Sequence, residues 1–155
     1  MNAADQARNL ELAQAIASAA ALFRAQFPDA RANLKPWRDD PCTREFADQE
    51  SVDLSFHLPG WSPRSQCRSF LVQLRLDCAP ARQGSGANRG DAGRPRLLGV
   101  LIRGLTYESE RWRLATVGDW RPTGSHLPDA ASVAKLQQFC RNLFDLFEVN
   151  GACAA

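Results

Sequence analysis

Two side chains in this sequence, His57 and Cys67, are of the types that perform nucleophilic chemistry together. They lie in neighbouring segments that we predict to form a β-hairpin, and a register that pairs Ser55 with Ser69 places the imidazole opposite the thiol. An imidazole at hydrogen-bond distance can take the thiol proton and create a thiolate nucleophile, or both groups can ligate a metal. The same register also describes an ordinary cross-strand polar pair, and a slip of one residue separates the two side chains.

This pair alone does not make a catalytic or metal centre. Spacing identifies no third group that would orient the imidazole, and two ligands are too few for a zinc site. The other histidine, His126, falls in a predicted loop with no identifiable partner. We therefore predict no metal site and no cofactor, and a small enzyme built on His57 and Cys67 is the third functional hypothesis.

Tryptophan near arginine recurs along the chain. An indole with a guanidinium can stack on a nucleobase or hold an anionic aromatic ligand, but tryptophans also seal the ends of sheets while neighbouring arginines stay in solvent. The pairs are Trp37-Arg38, Trp112-Arg113, Trp120-Arg121 and Trp61 with Arg64. Indoles gathered on one open surface favour binding, whereas indoles buried at opposite ends favour packing. The candidate binding residues are Trp61, Arg75, Arg103, Arg113, Trp120 and Arg121, and convergence of the indoles with these charges on one concave surface would favour binding.

Two segments carry concentrated charge. Residues 82–96 hold four arginines among glycines, but no helix follows that could receive a phosphate at its N-terminus. The stretch at about 79–96 is either a flexible hairpin insertion or an arm that contacts RNA, DNA or an acidic protein. Residues 39–53 are acidic, and their spacing matches no calcium loop, which favours a solvated loop. Opposite charges in one domain suit docking to a protein partner or to a second copy.

The elements that position these side chains follow from the apolar periodicity. Residues 5–27 and 129–149 have helical spacing, the first ending at Pro28 and the second at Asn150 and Gly151. Alternation predicts strands at 51–58, 67–77 and 112–117, and residues 97–107, apolar on both faces, predict a central strand. The order predicts an α+β fold: an N-terminal helix, a four-stranded antiparallel meander and a C-terminal helix, with both helices on one face and the other face open and polar.

Length and composition indicate a single domain over residues 1–155 with a disordered tail at 150–155. The chain is 45% apolar and 23% charged, which is typical of a folded core, and its net charge of +2 is too small to indicate nucleic acid by itself. The five cysteines are irregularly spaced and follow no recognisable leader, so we expect reduced thiols in a bacterial cytoplasm. No segment has the roughly 20 apolar residues of a membrane span.

The last helix carries more apolar surface than contact with one sheet requires. We predict a partner interface, in a dimer or a heteromeric complex, formed by Phe139, Phe144, Leu146 and Phe147. The first functional hypothesis is a non-catalytic cytoplasmic binding or assembly module that contacts a protein partner through this helix and the open polar sheet face. The runner-up is a nucleic-acid-binding protein that uses the 82–96 loop and the Trp/Arg pairs.

Overall fold

A computed structural model of the chain describes residues 2–6, 10–36, 51–77, 96–107 and 109–152, and for residues 149–152 the backbone alone. The described helices are α1 (Ala3–Gln6), α2 (Leu10–Gln26) and α3 (Ala130–Ala152). The described strands are β1 (Arg31–Asn33), β2 (Ser51–Ser62), β3 (Cys67–Asp77), β4 (Arg96–Leu105), β5 (Glu110–Ala115) and β6 (Pro122–Gly124). The strands pair antiparallel in chain order, so the sheet is a meander. No helix within these ranges combines the length and hydropathy that crossing a membrane requires.

The sheet has six strands, and the prediction of four is wrong. The two additional strands, β1 and β6, contain three residues each and form the two edges of the sheet. Three residues are too few to show an alternating apolar pattern, and β6 begins with Pro122, a residue type that is depleted in strands. The α+β class and the antiparallel sheet are confirmed.

The β2–β3 hairpin has a different register from the predicted one. His57 lies opposite Ser69 instead of Cys67. The pairing is irregular between His57 and Ser62 and resumes with Ser62 opposite Cys67. An alternating pattern does not reveal how many residues such an irregularity takes up, which is why the register prediction failed. The displacement is two residues, so the strand residues before the irregularity keep their predicted faces.

The first face of the sheet carries the hydrophobic core, and both long helices pack on it. We call the rings of Phe23, Phe27, Phe56, Phe70 and Phe139 the aromatic cluster. Phe23 of α2 stacks on Phe56 of β2 with ring centroids 4.0 Å apart. The same ring makes edge contacts at 5.0 Å with Phe70 of β3 and with Phe139 of α3. One side chain therefore connects α2, the sheet and α3.

Trp112 of β5 holds the turn of the β2–β3 hairpin in place. The indole is fully buried, and its Nε1 donates a hydrogen bond to the backbone carbonyl of Ser65 at 2.7 Å. Gly104 lies directly opposite on β4, and because glycine has no side chain the indole packs against its backbone. The same turn contacts the start of α3, where the amide of Asp129 donates to the carbonyl of Arg64 at 2.8 Å.

Helix α3 begins at an aspartate cap and ends later than predicted. The carboxylate of Asp129 accepts a hydrogen bond of 2.8 Å from the backbone amide of Ser132, which satisfies one of the free amides of the first turn. The helix continues to Ala152, three residues beyond the predicted end. Asn150 and Gly151 are poor helix formers, but each costs no more than about 1 kcal/mol relative to alanine, too little to stop the helix. The predicted disordered tail therefore starts inside the helix, and residues 153–155 lie outside the described residues.

The Asp129 cap makes stability depend on pH in the acid range. The hydrogen bonds from Ser132, backbone first, lower the pKa of the Asp129 carboxyl, with help from Arg64 and Lys135. Because the folded-state pKa lies below the unfolded one of about 3.9, the stabilisation is present above that pH and is lost as the pH falls through the folded-state value. We expect Asp129→Asn to lower the melting temperature at pH 7, and the difference from wild type to shrink on acidification.

Thermal unfolding followed by circular dichroism, at neutral and acid pH, measures this effect. Asparagine preserves the cap geometry, so the comparison isolates the charge. Asp145→Asn is the matched control, since it removes an exposed carboxylate from the same helix. A difference between Asp129→Asn and wild type that stays constant down to the lowest pH would show that the charge of Asp129 contributes nothing.

Candidate functional site

The second face of the sheet, opposite the helices, is less open than predicted. Ser51, Asp53 and Ser55 of β2 and Gln73 of β3 point to this face, and all four are buried. Leu71, between them on β3, is buried as well. The prediction of an open polar face is therefore wrong for β2 and β3, because a polar alternation pattern identifies a face but not whether other parts of the chain cover it. Two concave regions of this face remain accessible, one at each end.

The first concave region is a cavity of about 390 Å³, which we call the His57 cavity. Its polar lining includes Asn33, Ser55, His57, Arg68, Ser69 and Tyr107. Leu58, Leu71 and Leu105 supply apolar lining. The volume lies within the range of small-molecule sites, about 300–1,000 Å³. The meander topology builds this cavity, since β1, β2, β3 and the end of β4 each contribute to its wall.

Inside the cavity, His57 pairs with serine and not with cysteine. The Oγ of Ser55 lies 3.2 Å from the Nε2 of His57, and Ser69 is the cross-strand neighbour of His57. Cys67 is fully buried in the core, where desolvation raises the pKa of its thiol to about 12. The predicted Cys/His pair is therefore wrong: the irregularity before Ser62 turns Cys67 toward the core, and at neutral pH its sulfur is a thiol and not a thiolate.

Arg68 and Tyr107 form the charged wall of the cavity. The guanidinium carbon of Arg68 lies 4.2 Å from the centroid of the Tyr107 ring, a cation–π stack. Stacking uses the face of the guanidinium and leaves its in-plane N–H donors available. The sequence analysis identified neither residue, because Arg68 reads only as a polar position at a strand start and Tyr107 as the end of a strand.

Three of the predicted binding arginines lie on the second face. Arg103 donates to Glu110 at 2.8 Å and to Gln73 at 3.3 Å, and Arg113 donates to the other oxygen of Glu110 at 2.8 Å. The negative charge of the Glu110 carboxylate is thus shared by two positively charged guanidinium groups. Arg75 lies farther along this face, on the wall of the second concave region.

The described tryptophans do not form a shared stacking platform. Trp112 is buried in the core, and Trp120 packs against Phe144 of α3 with centroids 5.9 Å apart. Trp61 is 41% exposed and lies under the guanidinium of Arg111, 4.9 Å away. Trp120 packs on α3 and Arg121 follows it in an exposed loop, which agrees with the packing alternative for Trp112 and Trp120, and binding by the candidate residues stays a prediction. Trp37 lies outside the described residues.

The four residues predicted as a partner interface contribute mainly to the core. Phe139 and Phe147 are buried in it, and Phe144 and Leu146 are partly buried against it. The helix carries a wide apolar surface because it contacts three neighbours within the chain: the sheet, α2 and Trp120. Its outward positions are occupied mostly by polar side chains such as Lys135, Arg141 and Glu148. Phe139 and Phe147 are therefore internal and Phe144 and Leu146 are partly so, while the interface with a partner stays a prediction.

The second concave region is an apolar groove of about 290 Å³ at the other end of the second face, which we call the ledge. It is lined by Leu98, Gly99 and Leu101 of β4, Ala115 of β5, and Val117, with Arg75 and Gln73 on its β3 side. Leu98 is 49% and Val117 80% exposed. The sequence did not reveal this region, because apolar residues on both faces of β4 indicate only that the strand is central in the sheet.

Other candidates lie outside the described residues. They are the arginine-rich 82–96 loop, apart from Arg96, and most of the acidic 39–53 stretch.

His126 is exposed, and its Nδ1 lies 3.0 Å from the Oγ of Ser125. In the part of the chain that the structure describes, no three histidine, cysteine or acidic side chains are grouped as metal ligands would be.

Comparison with known proteins places this architecture in a family. No curated protein and no solved structure matches the chain significantly. One family model, described as a domain of unknown function, matches residues 4–149, which span every described strand and nearly all of the three helices. The chain therefore belongs to this family of domains of unknown function.

Proposed function

We propose that this protein is a non-catalytic binding module and that the ledge docks a protein partner. The observation that carries the proposal is the exposure of two large apolar side chains, Leu98 and Val117, next to each other on an otherwise well-packed sheet. Both line one groove, and Leu101 and Ala115 extend its apolar floor. Contiguous exposed apolar surface bounded by polar groups is typical of protein interaction sites.

The chemistry of the rim indicates what kind of segment docks there. Arg75 places a positive charge on the β3 side of the ledge, and Ser51 and Gln73 add polar groups beside it. A partner segment with an aliphatic or aromatic side chain followed by an acidic residue matches this surface, with the apolar group on Leu98 and Val117 and the carboxylate toward Arg75.

Each of the two competing hypotheses loses one feature that supported it, whereas the arginine-rich 82–96 loop of the nucleic-acid hypothesis lies outside the described residues apart from Arg96. The enzyme hypothesis needs an activated thiol, but Cys67 is buried in the core and its pKa is raised to about 12. The nucleic-acid hypothesis needs stacking indoles on one surface, but Trp112 and Trp120 serve internal packing.

The described cysteines, Cys67 and Cys140, are free and buried, and we propose that the protein works in a reducing cytoplasm.

Site-specific photo-crosslinking in cells of the native host tests the proposal. A benzophenone amino acid at Val117 is expected to capture one recurrent protein through a segment that contains an apolar residue next to Asp or Glu. The same probe at Leu10, which is 72% exposed on α2, is the positional control and should not capture it. Leu98→Asp should abolish the capture at Val117, whereas Leu127→Asp, at a similarly exposed leucine outside the ledge, should leave it intact.

Three outcomes would overturn the proposal. Capture at Val117 that persists in Leu98→Asp would show that the ledge does not hold the partner. Cross-links to a second copy of this chain would indicate self-association, and cross-links to RNA would restore the nucleic-acid hypothesis. Circular dichroism of each variant confirms that its fold is intact, which is expected because both leucines are half exposed.

A further inference from the structure

We infer that the His57 cavity is a separate binding site for a small organic carboxylate with an apolar body. The cavity and the ledge lie on the same face of the sheet but share no lining residue, so this inference does not depend on the proposed protein docking. Three features of the cavity point to this ligand: the charge of its wall, the placement of its hydrogen-bond donors and the apolar part of its lining.

The charge of the lining is unbalanced. Arg68 contributes a permanent positive charge, and none of the described lining residues is acidic. Two other arginines on this face, Arg103 of β4 and Arg113 of β5, form ion pairs with Glu110. In each pair a guanidinium nitrogen lies 2.8 Å from a carboxylate oxygen. Within the described ranges, by contrast, Arg68 forms no ion pair, and its recorded contact is the Tyr107 ring. Among the described lining residues, the positive charge of Arg68 therefore has no acidic partner.

The donors around Arg68 converge on the same space from several strands. Ser55 and His57 come from β2, Ser69 from β3, and Asn33 from β1 directly opposite Ser55. Hydroxyl, imidazole and amide groups can donate to anionic oxygens, and a guanidinium can bind a carboxylate with two parallel hydrogen bonds. The contact with the Tyr107 ring restricts the Arg68 side chain, which reduces the conformational entropy lost when an anion binds.

The apolar part of the cavity lining favours an organic anion over an inorganic one as the ligand. Leu71 and Leu105 are almost completely buried and close the base of the cavity, and the partly exposed Leu58 and the exposed Tyr107 ring supply apolar surface that solvent reaches. Sulfate or phosphate would leave this surface in contact with water, whereas the body of an organic acid would cover it. The lining therefore matches a carboxylate held by Arg68 and its neighbouring donors, with an apolar body against Leu58 and the Tyr107 ring.

Titration followed by ¹⁵N–¹H NMR tests the inference, with phenylacetate and octanoate as probes. We expect saturating shifts at millimolar concentration for the amides of Ser55, His57, Ser69 and Leu105. Phenylacetamide, which has the same body without the charge, and inorganic phosphate, which has the charge without the body, should each bind at least about tenfold more weakly than phenylacetate.

Substitutions of cavity residues test which side chain binds the carboxylate. Arg68→Gln should weaken phenylacetate binding by about tenfold to a hundredfold, because hydrogen bonds to a charged partner are among the strongest in proteins. Arg121→Gln, at an exposed arginine outside the cavity, is the matched control and should bind like wild type. Tyr107→Ala should weaken binding less than Arg68→Gln, since it removes the stack and leaves the charge. Leu98→Asp should leave phenylacetate binding unchanged, which separates this site from the ledge.

The inference is overturned if neither carboxylate shifts the cavity amides. It is also overturned if phenylacetamide binds as well as phenylacetate, if phosphate binds equally well, or if Arg68→Gln binds like wild type. Arg68 is only partly buried and Tyr107 is exposed, so both variants are expected to fold, and their spectra away from the cavity verify this.

Discussion

Phe23→Ala is expected to lower the free energy of unfolding by about 3–5 kcal/mol, the cost typical of removing a buried aromatic ring. The Phe23 ring is fully buried, and four other rings lie within 5.0 Å of it, centroid to centroid. Because these rings belong to α2, β2, β3 and α3 or follow them directly, the substitution leaves a cavity where two helices meet the sheet. Domains of this size are stable by about 5–15 kcal/mol in total, so the loss is a large part of the whole.

Chemical denaturation with guanidinium chloride measures this loss. Leu10→Ala, in the same helix but 72% exposed, is the matched control and should change stability by less than about 0.5 kcal/mol. If Phe23→Ala does not fold, Phe23→Leu keeps the experiment informative, since it retains most of the volume and should cost about 1.5 kcal/mol or less. A cost for Phe23→Ala close to that of Leu10→Ala would contradict the central position of the aromatic cluster.

Gly104→Ala is expected to destabilise the protein by about 1–3 kcal/mol, although alanine is only one methyl group larger. An added β-carbon would lie 2.7 Å from Cζ2 of Trp112 and closer still to Cε2 and Nε1 of the same indole. The ring has no room to retreat, since it is fully buried and its Nε1 is hydrogen-bonded to Ser65. The strain would reach the hairpin turn that also contacts the start of α3.

A second glycine provides the control. Gly60→Ala also adds a methyl group to a strand glycine, but nothing lies within 4 Å of the added carbon, so we expect a change of less than about 0.5 kcal/mol. In a double-mutant cycle, Gly104→Ala should cost less in the Trp112→Phe background, because phenylalanine lacks the indole nitrogen and the five-membered ring. Equal costs in the two backgrounds would show that the indole is not the obstacle.

Long periodic segments made much of this fold predictable from the sequence. The two alternating segments of the hairpin became β2 and β3, and the apolar stripe around Leu136 and Leu143 became α3. The edge strands were not predictable, because three residues such as those of β1 pair through their backbone and need no side-chain pattern. The register failed for a related reason, since an irregularity in strand pairing changes the alignment without changing the apolar pattern.

The candidate site was only partly predictable. His57 was identified from its residue type and its place on an alternating strand, and it does line the cavity. Arg68 lies on β3 and Tyr107 just after β4, and the two meet only through the β3–β4 pairing, which follows a long connection. The exposure of Leu98 was also not predictable, because a sequence pattern shows that a residue is apolar but not whether other side chains cover it.

The brevity of β1 and β6 also affects how copies of this molecule behave when concentrated. A long outermost strand exposes unpaired amide and carbonyl groups that invite a neighbouring molecule to continue the sheet, the first step toward fibrils. Here the outermost strands offer three residues each, and one of them starts with a proline that has no amide proton to donate. Strand addition to β1 or to β6 is thus disfavoured.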